Sequence, residues 1–205
     1  MITFCLIAAV SYLLGSIPFG YLLVRVFQGE DVRLSGSGNI GATNVSRKSP
    51  GLGIATLLLD ALKGTAAVAI SRILAEHMGA SGRAIDYMGV AALFAIVGHV
   101  FPFWLKFRGG KGVATGLGSF VLIAPKAVLI AAAVFVLVVA VFRYVSVGSI
   151  VSAAVFPLIM WWMGQFQINA LIPVGLASLL IVARHSQNIR RIFAGTESRL
   201  GSKRA

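Results

Sequence analysis

Long apolar stretches, separated by short polar ones, dominate the pattern of residues along the chain. Seven apolar segments cover residues 3–27, 52–75, 86–104, 113–124, 126–143, 146–164 and 168–185. A helix of about 20 apolar residues crosses the hydrocarbon core of a bilayer. The fourth segment is short for a full crossing, so we expect it to be tilted or re-entrant, which is tolerated where protein surrounds it. The pattern predicts an all-α integral membrane protein, a seven-span helical bundle formed by one domain over residues 1–205.

Composition and charge agree with this arrangement. Only 12% of the 205 residues are charged and 58% are hydrophobic, whereas a soluble domain is about 25% charged. If the N-terminus lies outside, only Arg72, Arg83 and Lys126 of the 18 basic residues lie on the outer side, and Lys63 lies within a span. All the others are then cytoplasmic: Arg25, Arg33, Arg47, Lys48, Lys106, Arg108, Lys111, Arg143, Arg184, Arg190, Arg191, Arg199, Lys203 and Arg204. Because basic residues concentrate in cytoplasmic loops, the chain is predicted to have its N-terminus outside and its C-terminus in the cytoplasm.

The first polar stretch with candidate chemistry is SGSGNIGATN, residues 35–44. Its spacing Gly36-x-Gly38-x-x-Gly41 resembles a dinucleotide-binding fingerprint, but that fingerprint needs a strand before it and a helix after it. Here Asp60, the acid at the required distance, falls inside an apolar segment. The glycines can still present backbone N–H groups to an anion, and Arg47 follows them. The small polar residues of the stretch are Ser35, Ser37, Asn39, Thr43 and Asn44. A flexible polar loop between two spans is the alternative.

The second stretch is KFRGGKGVATG, residues 106–116, in which three basic residues surround Gly109, Gly110 and Gly112. It is not a Walker A motif, because Lys111 is followed by glycine rather than by serine or threonine. The apolar segment that follows would begin with unpaired N–H groups, and a helix N-terminus attracts anions. We expect an anion site of backbone, ammonium and helix dipole; a plain basic loop is the alternative.

The third stretch is RHSQNIRRIFAGTE, residues 184–197. On a continuing helix His185 and Asn188 would share one face, Gly195 would end the helix, and Glu197 could tether a basic residue. A structural histidine at a helix end is the alternative to a phosphate ligand.

Ionisable residues also occur within the predicted spans. Asp60 and Lys63 are three apart, and an internal ion pair is at least as plausible as a catalytic role for them. His99 either reaches the site or bonds a carbonyl freed by Pro102. The histidine, cysteine and acidic residues lack metal-ligand spacing, and no G-x-S-x-G nucleophile motif occurs. We therefore expect no metal and no enzyme-borne base, with His99 and His185 as fallback candidates for that base.

The three stretches together resemble the signature regions of the bacterial acyl-phosphate:glycerol-3-phosphate acyltransferases. The matching residues are SGSGNIGATN with Arg47, GHVFPFWLKFRGGKGVATG, and HSQNIRR…GTE. The resemblance covers nearly the whole chain, although Ser46, Trp104 and Arg108 depart from the expected pattern.

The resemblance implies a reaction. A fatty acyl group passes from acyl phosphate to the 1-hydroxyl of sn-glycerol 3-phosphate, giving lysophosphatidate and inorganic phosphate in phospholipid biosynthesis. It also implies a multi-pass protein of the bacterial cytoplasmic (inner) membrane with its active site at the cytoplasmic face. The resemblance implies no cofactor. The expected partners are these two substrates and membrane lipid, with no nucleic acid and no obligate protein partner. A transporter for phosphate or an organophosphate is the alternative function, and a scaffold comes third.

Roles follow from the same resemblance. Acyl phosphate would be held by Gly109, Gly110, Lys111, Gly112 and Thr115. Glycerol 3-phosphate would be bound by Ser37, Arg47, Lys106, His185 and Asn188. The supporting loop would comprise Ser35, Gly36, Gly38, Asn39, Gly41, Thr43 and Asn44. The donor's own phosphate could take the proton of the attacking hydroxyl.

Overall fold

The regular structure of the protein is helical throughout the part that a computed structural model describes, residues 1–164 and 167–201. Lys203 and Arg204, counted above with the cytoplasmic charges, lie outside these residues. Ten α-helices follow one another: α1 (Ile2–Gly15), α2 (Phe19–Gln28), α3 (Ala42–Val45), α4 (Pro50–His77), α5 (Ala84–Val100), α6 (Val113–Val121), α7 (Pro125–Phe142), α8 (Val145–Trp162), α9 (Ile168–Ala183) and α10 (Ser186–Phe193). Three short 3₁₀ turns cover Val32–Leu34, Ser81–Arg83 and Phe103–Leu105. The predicted all-α class is confirmed.

The chain folds into two compact units, Met1–Ile123 and Ala124–Ala205. The first unit contains α1 to α6 and both glycine-rich loops, and the second contains α7 to α10 and the third polar stretch.

The first predicted span consists of two helices in the structure. Helix α1 ends at Gly15 and α2 begins at Phe19, because Pro18 cannot continue a helix and lies immediately before α2. The break frees the carbonyl of Ile17, which accepts a hydrogen bond from Lys63 Nζ at 2.7 Å.

Glycines allow the helices of the first unit to pack in backbone contact. A Cβ on Gly15 would clash with the Ala95 backbone, and one on Gly98 would clash with the carbonyl of Tyr12, so α1 and α5 lie in backbone contact. Gly64 of α4 meets α6 in the same way. Since lipid offers helices little hydrophobic drive to associate, small residues that permit close approach are typical of membrane helix contacts.

The second unit begins with a tight helical pair. Arg143, between α7 and α8, adopts a left-handed conformation with φ 62° and ends α7. The segment after α10 returns to this corner, where Leu200 N donates to the Arg143 carbonyl and Arg199 Nε donates to the Tyr144 hydroxyl at 3.1 Å.

The prediction of a helix continuing through His185 is wrong. Helix α9 ends at Ala183, α10 begins at Ser186, and the two axes are bent by 45°. Gly195 follows α10 with φ 68°, as expected for a residue that ends a helix.

Five stretches of the described residues are long and apolar enough to cross a membrane: Ile2–Gln28, Pro50–His77, Ser81–Leu105, Pro125–Phe142 and Val145–Trp162. A sixth results if the bent pair Ile168–Ala183 and Ser186–Phe193 is one span. Helix α6 has 9 residues, or roughly 14 Å at 1.5 Å per residue, so it is shorter than a bilayer core. The chain is therefore a multi-pass helical membrane protein.

Candidate active site

The first glycine-rich loop, residues 35–41, is organised around the buried side chain of Asn44. Its Oδ1 accepts from Ser37 N at 2.8 Å. Its Nδ2 donates to the carbonyls of Val32, Ser35 and Asn39 at 3.2, 3.1 and 2.8 Å. One amide at the end of the short helix α3 thus fixes a loop that its composition alone would leave flexible.

Arg47 lies beside this loop. An ideal Cβ on Gly36 would lie 3.4 Å from Arg47 Nη1 and would clash with Asn44 Oδ1, and Gly36 has φ 57°. Glycine is therefore required twice at this position, by its backbone conformation and by the close approach of the Asn44 side-chain oxygen. Arg47 itself is exposed and Ser37 is half-buried. Arg47 Nη1 therefore lies beside Gly36, the residue that precedes Ser37.

The second glycine-rich loop, residues 106–112, begins with two consecutive left-handed residues that are not glycine. Lys106 has φ 53° and Phe107 has φ 61°, a conformation that is uncommon for such side chains. The Phe107 N–H donates to the Pro102 carbonyl at 3.0 Å, which closes the turn after Phe103–Leu105. The turn leaves the side chain of Lys106 exposed.

Gly109 and Gly110 are buried against the end of α5. Gly109 N donates to the Val100 carbonyl at 3.1 Å, and Gly110 N donates to the His99 carbonyl at 3.0 Å. A Cβ on Gly109 would clash with the His99 carbonyl, and one on Gly110 would clash with the His99 ring. These two N–H groups cap the final carbonyls of α5, so the glycines shape the loop by close approach.

Lys111 and Gly112 complete this loop at the start of α6. Gly112 has φ 86° and precedes Val113, the first residue of α6, whose first-turn N–H groups have no partner within the helix. Lys111 is half-buried. Thr115 is 0% exposed, and an added Cβ on Gly64 of α4 would clash with its carbonyl. The α4–α6 contact is therefore made by the Thr115 backbone, while its buried Oγ1 has no hydrogen-bond partner among the described residues.

An open pocket of about 570 Å³ lies next to Lys106 in the first unit. Its walls are mainly apolar, and its polar groups include Arg33, Lys106 and Tyr21. Nε of Arg33 donates to Asp31 Oδ1 at 2.9 Å and its Nη2 to Oδ2 at 2.6 Å. The Arg33 guanidinium lowers the pKa of the Asp31 carboxyl. The lining residues are Ile17, Pro18, Tyr21, Leu22, Arg33, Trp104, Leu105 and Lys106. From the sequence, Arg33 is expected only to be one of the cytoplasmic basic residues.

Asp60, Lys63 and His99 form a buried cluster. Lys63 Nζ lies 2.7 Å from Asp60 Oδ1, which confirms the internal ion pair. His99 Nδ1 lies 3.5 Å from the same oxygen. The three residues are 2–4% exposed. The Asp60–His99 contact is not predicted from the sequence, where its one signal is an acid in one span and a histidine in the next.

The third polar stretch is held together by Glu197. Its Oε1 accepts from Asn188 Nδ2 and from Ser146 Oγ, both at 2.7 Å, and its Oε2 accepts from Arg191 Nε at 2.7 Å. The predicted tether by Glu197 is confirmed. Burial alone would raise the pKa of Glu197, but the hydrogen bonds from Asn188, Arg191 and Ser146 outweigh it and lower the pKa overall.

His185 and Asn188 are both buried, at 2% and 4% exposure. His185 Nδ1 lies 2.8 Å from the Ile181 carbonyl, which can only accept, so Nδ1 carries a proton and Nε2 is the ring's other polar atom. Asn188 commits Nδ2 to Glu197, and its Oδ1 is a buried acceptor with no hydrogen-bond partner in the part of the chain that the structure describes.

These features define a class. The chain is a multi-pass helical membrane protein in which glycine-rich loops at helix ends present cations, a constellation suited to phosphate groups attached to apolar chains.

Comparison with known proteins identifies the family within that class. The profile of the glycerol-3-phosphate acyltransferase family matches residues 5–195. A glycerol-3-phosphate acyltransferase of Rhodopseudomonas palustris (strain HaA2) is 44% identical over 195 residues, covering 95% of this chain and 94% of the relative. One of Gluconobacter oxydans (strain 621H) is 48% identical over 198 residues, covering 95% and 92%. The chain belongs to the glycerol-3-phosphate acyltransferase family.

A solved structure agrees. The crystal structure of PlsY (YgiH), an integral membrane glycerol 3-phosphate acyltransferase, in its glycerol 3-phosphate form superposes with a TM-score of 0.85. It is 34% identical, and the match covers 97% of this chain and 96% of that one. The same protein in its lysophosphatidic acid form gives a TM-score of 0.81. The family resemblance inferred from the three polar stretches is confirmed.

Proposed function

We propose that this protein transfers a fatty acyl group from acyl phosphate to the 1-hydroxyl of sn-glycerol 3-phosphate. The bond that breaks joins the acyl carbonyl carbon to the phosphate oxygen, and the bond that forms joins that carbon to the glycerol oxygen. The products are lysophosphatidate and inorganic phosphate. The observation that carries the proposal is the second glycine-rich loop, which places Lys111 and Gly112 at the start of α6.

Acyl phosphate is assigned to this loop. Gly109 and Gly110 hold the loop against α5, so the donor phosphate is left to Lys111 and to the first N–H groups of α6. Donors fixed before the reaction stabilise negative charge as it develops on the leaving phosphate. Thr115 is assigned to the same phosphate, to which it would offer its buried Oγ1, a hydroxyl with no hydrogen-bond partner among the described residues.

Glycerol 3-phosphate is assigned to Ser37, Arg47, Lys106, His185 and Asn188. Arg47 offers a two-pronged donor for a phosphate, and Lys106 adds a second exposed cation in the first unit. Asn188 donates one N–H to Glu197 and has an unpartnered Oδ1 among the described residues, so this oxygen suits a glycerol hydroxyl, which donates. The loop from Ser35 to Asn44 keeps Ser37 and Arg47 in place through Asn44.

The pocket beside Lys106 gives the apolar chain of a substrate a place to lie. Its apolar walls suit a hydrocarbon chain, and Lys106 at the same pocket is the cation already assigned to glycerol 3-phosphate.

The attacking hydroxyl is proposed to lose its proton to the donor's own phosphate. His99 is poorly placed to act as a base, because one ring nitrogen faces Asp60 and the other packs against Gly110. His185 Nδ1 donates to the Ile181 carbonyl, so that nitrogen is not available to accept the proton. Phosphate is a good leaving group, so orientation and charge stabilisation carry most of the rate enhancement.

We also propose seven crossings, with the N-terminus outside, the C-terminus in the cytoplasm and the active site at the cytoplasmic face of the bacterial inner membrane. In this arrangement the short helix α6 and the residues next to it cross the membrane as the fourth span. The one-sided distribution of the basic residues supports it. Ser81→Cys in a Cys5→Ser background should react with an impermeant maleimide in intact cells, and Ser186→Cys should react only after permeabilisation. The reverse pattern would exclude this orientation.

Acyl transfer by protein purified in detergent tests the proposed function. An enzyme forms lysophosphatidate from palmitoyl phosphate and glycerol 3-phosphate without any sealed compartment. A phosphate or organophosphate transporter forms none in detergent and moves its substrate only across a closed vesicle. In the proposed topology the glycine-rich stretches lie at one face of the bilayer. This placement favours an enzyme, because transporters place their binding sites near the midplane of the membrane. The expectation of no metal, no cofactor and no obligate protein partner stays a prediction.

A further inference from the structure

We propose that Asp60 and His99 are positioning residues, which fix the second glycine-rich loop and through it Lys111. This inference rests on the proposed function, since it assigns Lys111 to the donor phosphate. It differs from a role as acid or base, because neither side chain is asked to exchange a proton with substrate.

The first step is the anchoring of Asp60. Its Oδ1 lies 2.7 Å from Lys63 Nζ, and that ammonium also donates to the Ile17 carbonyl at 2.7 Å. Charged groups inside a membrane helix are costly and are typically paired. Asp60 is a residue of α4, and Lys63 links its carboxylate to the break between α1 and α2.

The second step is the orientation of His99. Its Nδ1 lies 3.5 Å from Asp60 Oδ1, so the carboxylate faces one edge of the ring. The opposite edge, which carries Nε2, packs on Gly110 so closely that a methyl group there would overlap it. An aspartate that orients a histidine usually presents that ring to substrate; here the ring presents itself to the backbone of the loop.

The third step links the ring to Lys111. His99 contacts Gly110 in two ways. Its ring packs against the Gly110 backbone, and its carbonyl accepts a hydrogen bond from Gly110 N at 3.0 Å. Val100 holds Gly109 in the same manner at 3.1 Å. Lys111 is the next residue in the chain, so rotation of the His99 ring would displace the backbone that carries the ammonium. A displacement of about 1 Å at a reacting group can cost on the order of 100-fold in rate.

The variants that test the proposal act on different steps of this connection. His99→Gln removes the ring, and Asp60→Asn combined with Lys63→Met removes the anchor without leaving an unpaired charge. Gly110→Ala pushes against the ring from the loop side. Thr65→Val is the matched control, because it removes another α4 contact, the 2.8 Å hydrogen bond from Thr65 Oγ1 to the Gly118 carbonyl, outside the cluster.

The readout is the separate KM for palmitoyl phosphate and for glycerol 3-phosphate, with kcat and the melting temperature of each variant. The three cluster variants should lower kcat/KM for the donor by roughly 10- to 100-fold, while the KM for glycerol 3-phosphate changes less than about threefold. Thr65→Val should lower the melting temperature without a selective loss of kcat/KM for the donor. Joining His99→Gln to the Asp60–Lys63 double variant should add little, because all three act through one contact.

Three results would overturn the proposal: equal effects on both substrates, full additivity, or loss of one limb of the pH–rate profile with an unchanged donor KM. If His99→Gln fails to fold, Gly110→Ala and the double variant decide the question by the same criteria. An inactive wild-type protein would count against the proposed function itself, whereas an active wild type with cluster variants resembling Thr65→Val would overturn only this inference.

Discussion

Asn188 Nδ2 donates to Glu197 Oε1 across 2.7 Å, and this contact defines what each residue can do. Glu197 also accepts from Ser146 and Arg191, so it joins the start of α8 to α10. Asn188 is left with a buried oxygen. The amide therefore belongs both to the framework of the second unit and to its candidate binding site.

Replacing Glu197 by glutamine should destabilise the protein by about 1–3 kcal/mol, the typical value of hydrogen bonds to a charged group. The folded-state pKa of Glu197 is lowered from its ordinary value of 4.5. The stability it contributes is complete above that ordinary value and is lost as the pH falls through the lowered pKa. Melting curves on acidification should show that the wild type loses more stability than Glu197→Gln. Glu76→Gln, at an exposed pair with Arg72, is the control and should change stability by less than about 1 kcal/mol. Parallel acid profiles of wild type and Glu197→Gln would contradict the assignment.

Replacing Asn44 by alanine should release the first glycine-rich loop. The loss of buried hydrogen bonds should cost about 1–3 kcal/mol, and the KM for glycerol 3-phosphate should rise more than about tenfold, since about 1.4 kcal/mol of binding is tenfold. Steady-state kinetics with each substrate varied in turn measure this. Glu30→Gln alters only an exposed partner of Lys48 and should leave both KM values near the wild type. A rise confined to the donor KM would mean that the loop serves the other substrate.

Replacing Lys111 by methionine should lower kcat by roughly 100- to 1,000-fold, the usual effect of losing one fixed charge stabiliser, with little change in melting temperature. Arg108→Met is the matched control because it removes the same charge from an exposed position of the same loop. If the loop acts only through its net charge, the two variants will be equally impaired, and the assignment of Lys111 fails.

Replacing Gly64 by alanine should destabilise the first unit by about 1–3 kcal/mol, the range for overpacking a close contact. A methyl group there would overlap the Thr115 carbonyl and Ser119 Oγ. Gly51, on the same helix, has open space around its Cβ position, so Gly51→Ala should be neutral or gain up to about 1 kcal/mol in helix propensity. Equal melting temperatures for the two variants would show that α4 and α6 are not in backbone contact.

The sequence predicts the helices of this protein well because each apolar segment carries its own signal. Pro18 marks the break inside the first apolar segment, although the apolar pattern continues across it. The bend at His185 escapes prediction, since the residues around it would fit a continuous helix equally well. What separates α9 from α10 is a local turn in which His185 bonds the Ile181 carbonyl.

The candidate site is predictable where its residues are neighbours in the chain. Glycine spacing with Arg47 and Lys111 points to two anion loops before any coordinates are known. The Asp60–His99 contact has no such signal, because it depends on how α4 and α5 pack. The capping of α5 by Gly109 and Gly110 also depends on tertiary packing. The sequence alone therefore predicts that their N–H groups bind a ligand, whereas the structure pairs them with the Val100 and His99 carbonyls.

Release of inorganic phosphate from palmitoyl phosphate by the purified protein, with and without glycerol 3-phosphate, tests the central claim most directly. We predict release that requires glycerol 3-phosphate and equals the lysophosphatidate formed, one for one. Release at the same rate without glycerol 3-phosphate, or none under either condition, would contradict it.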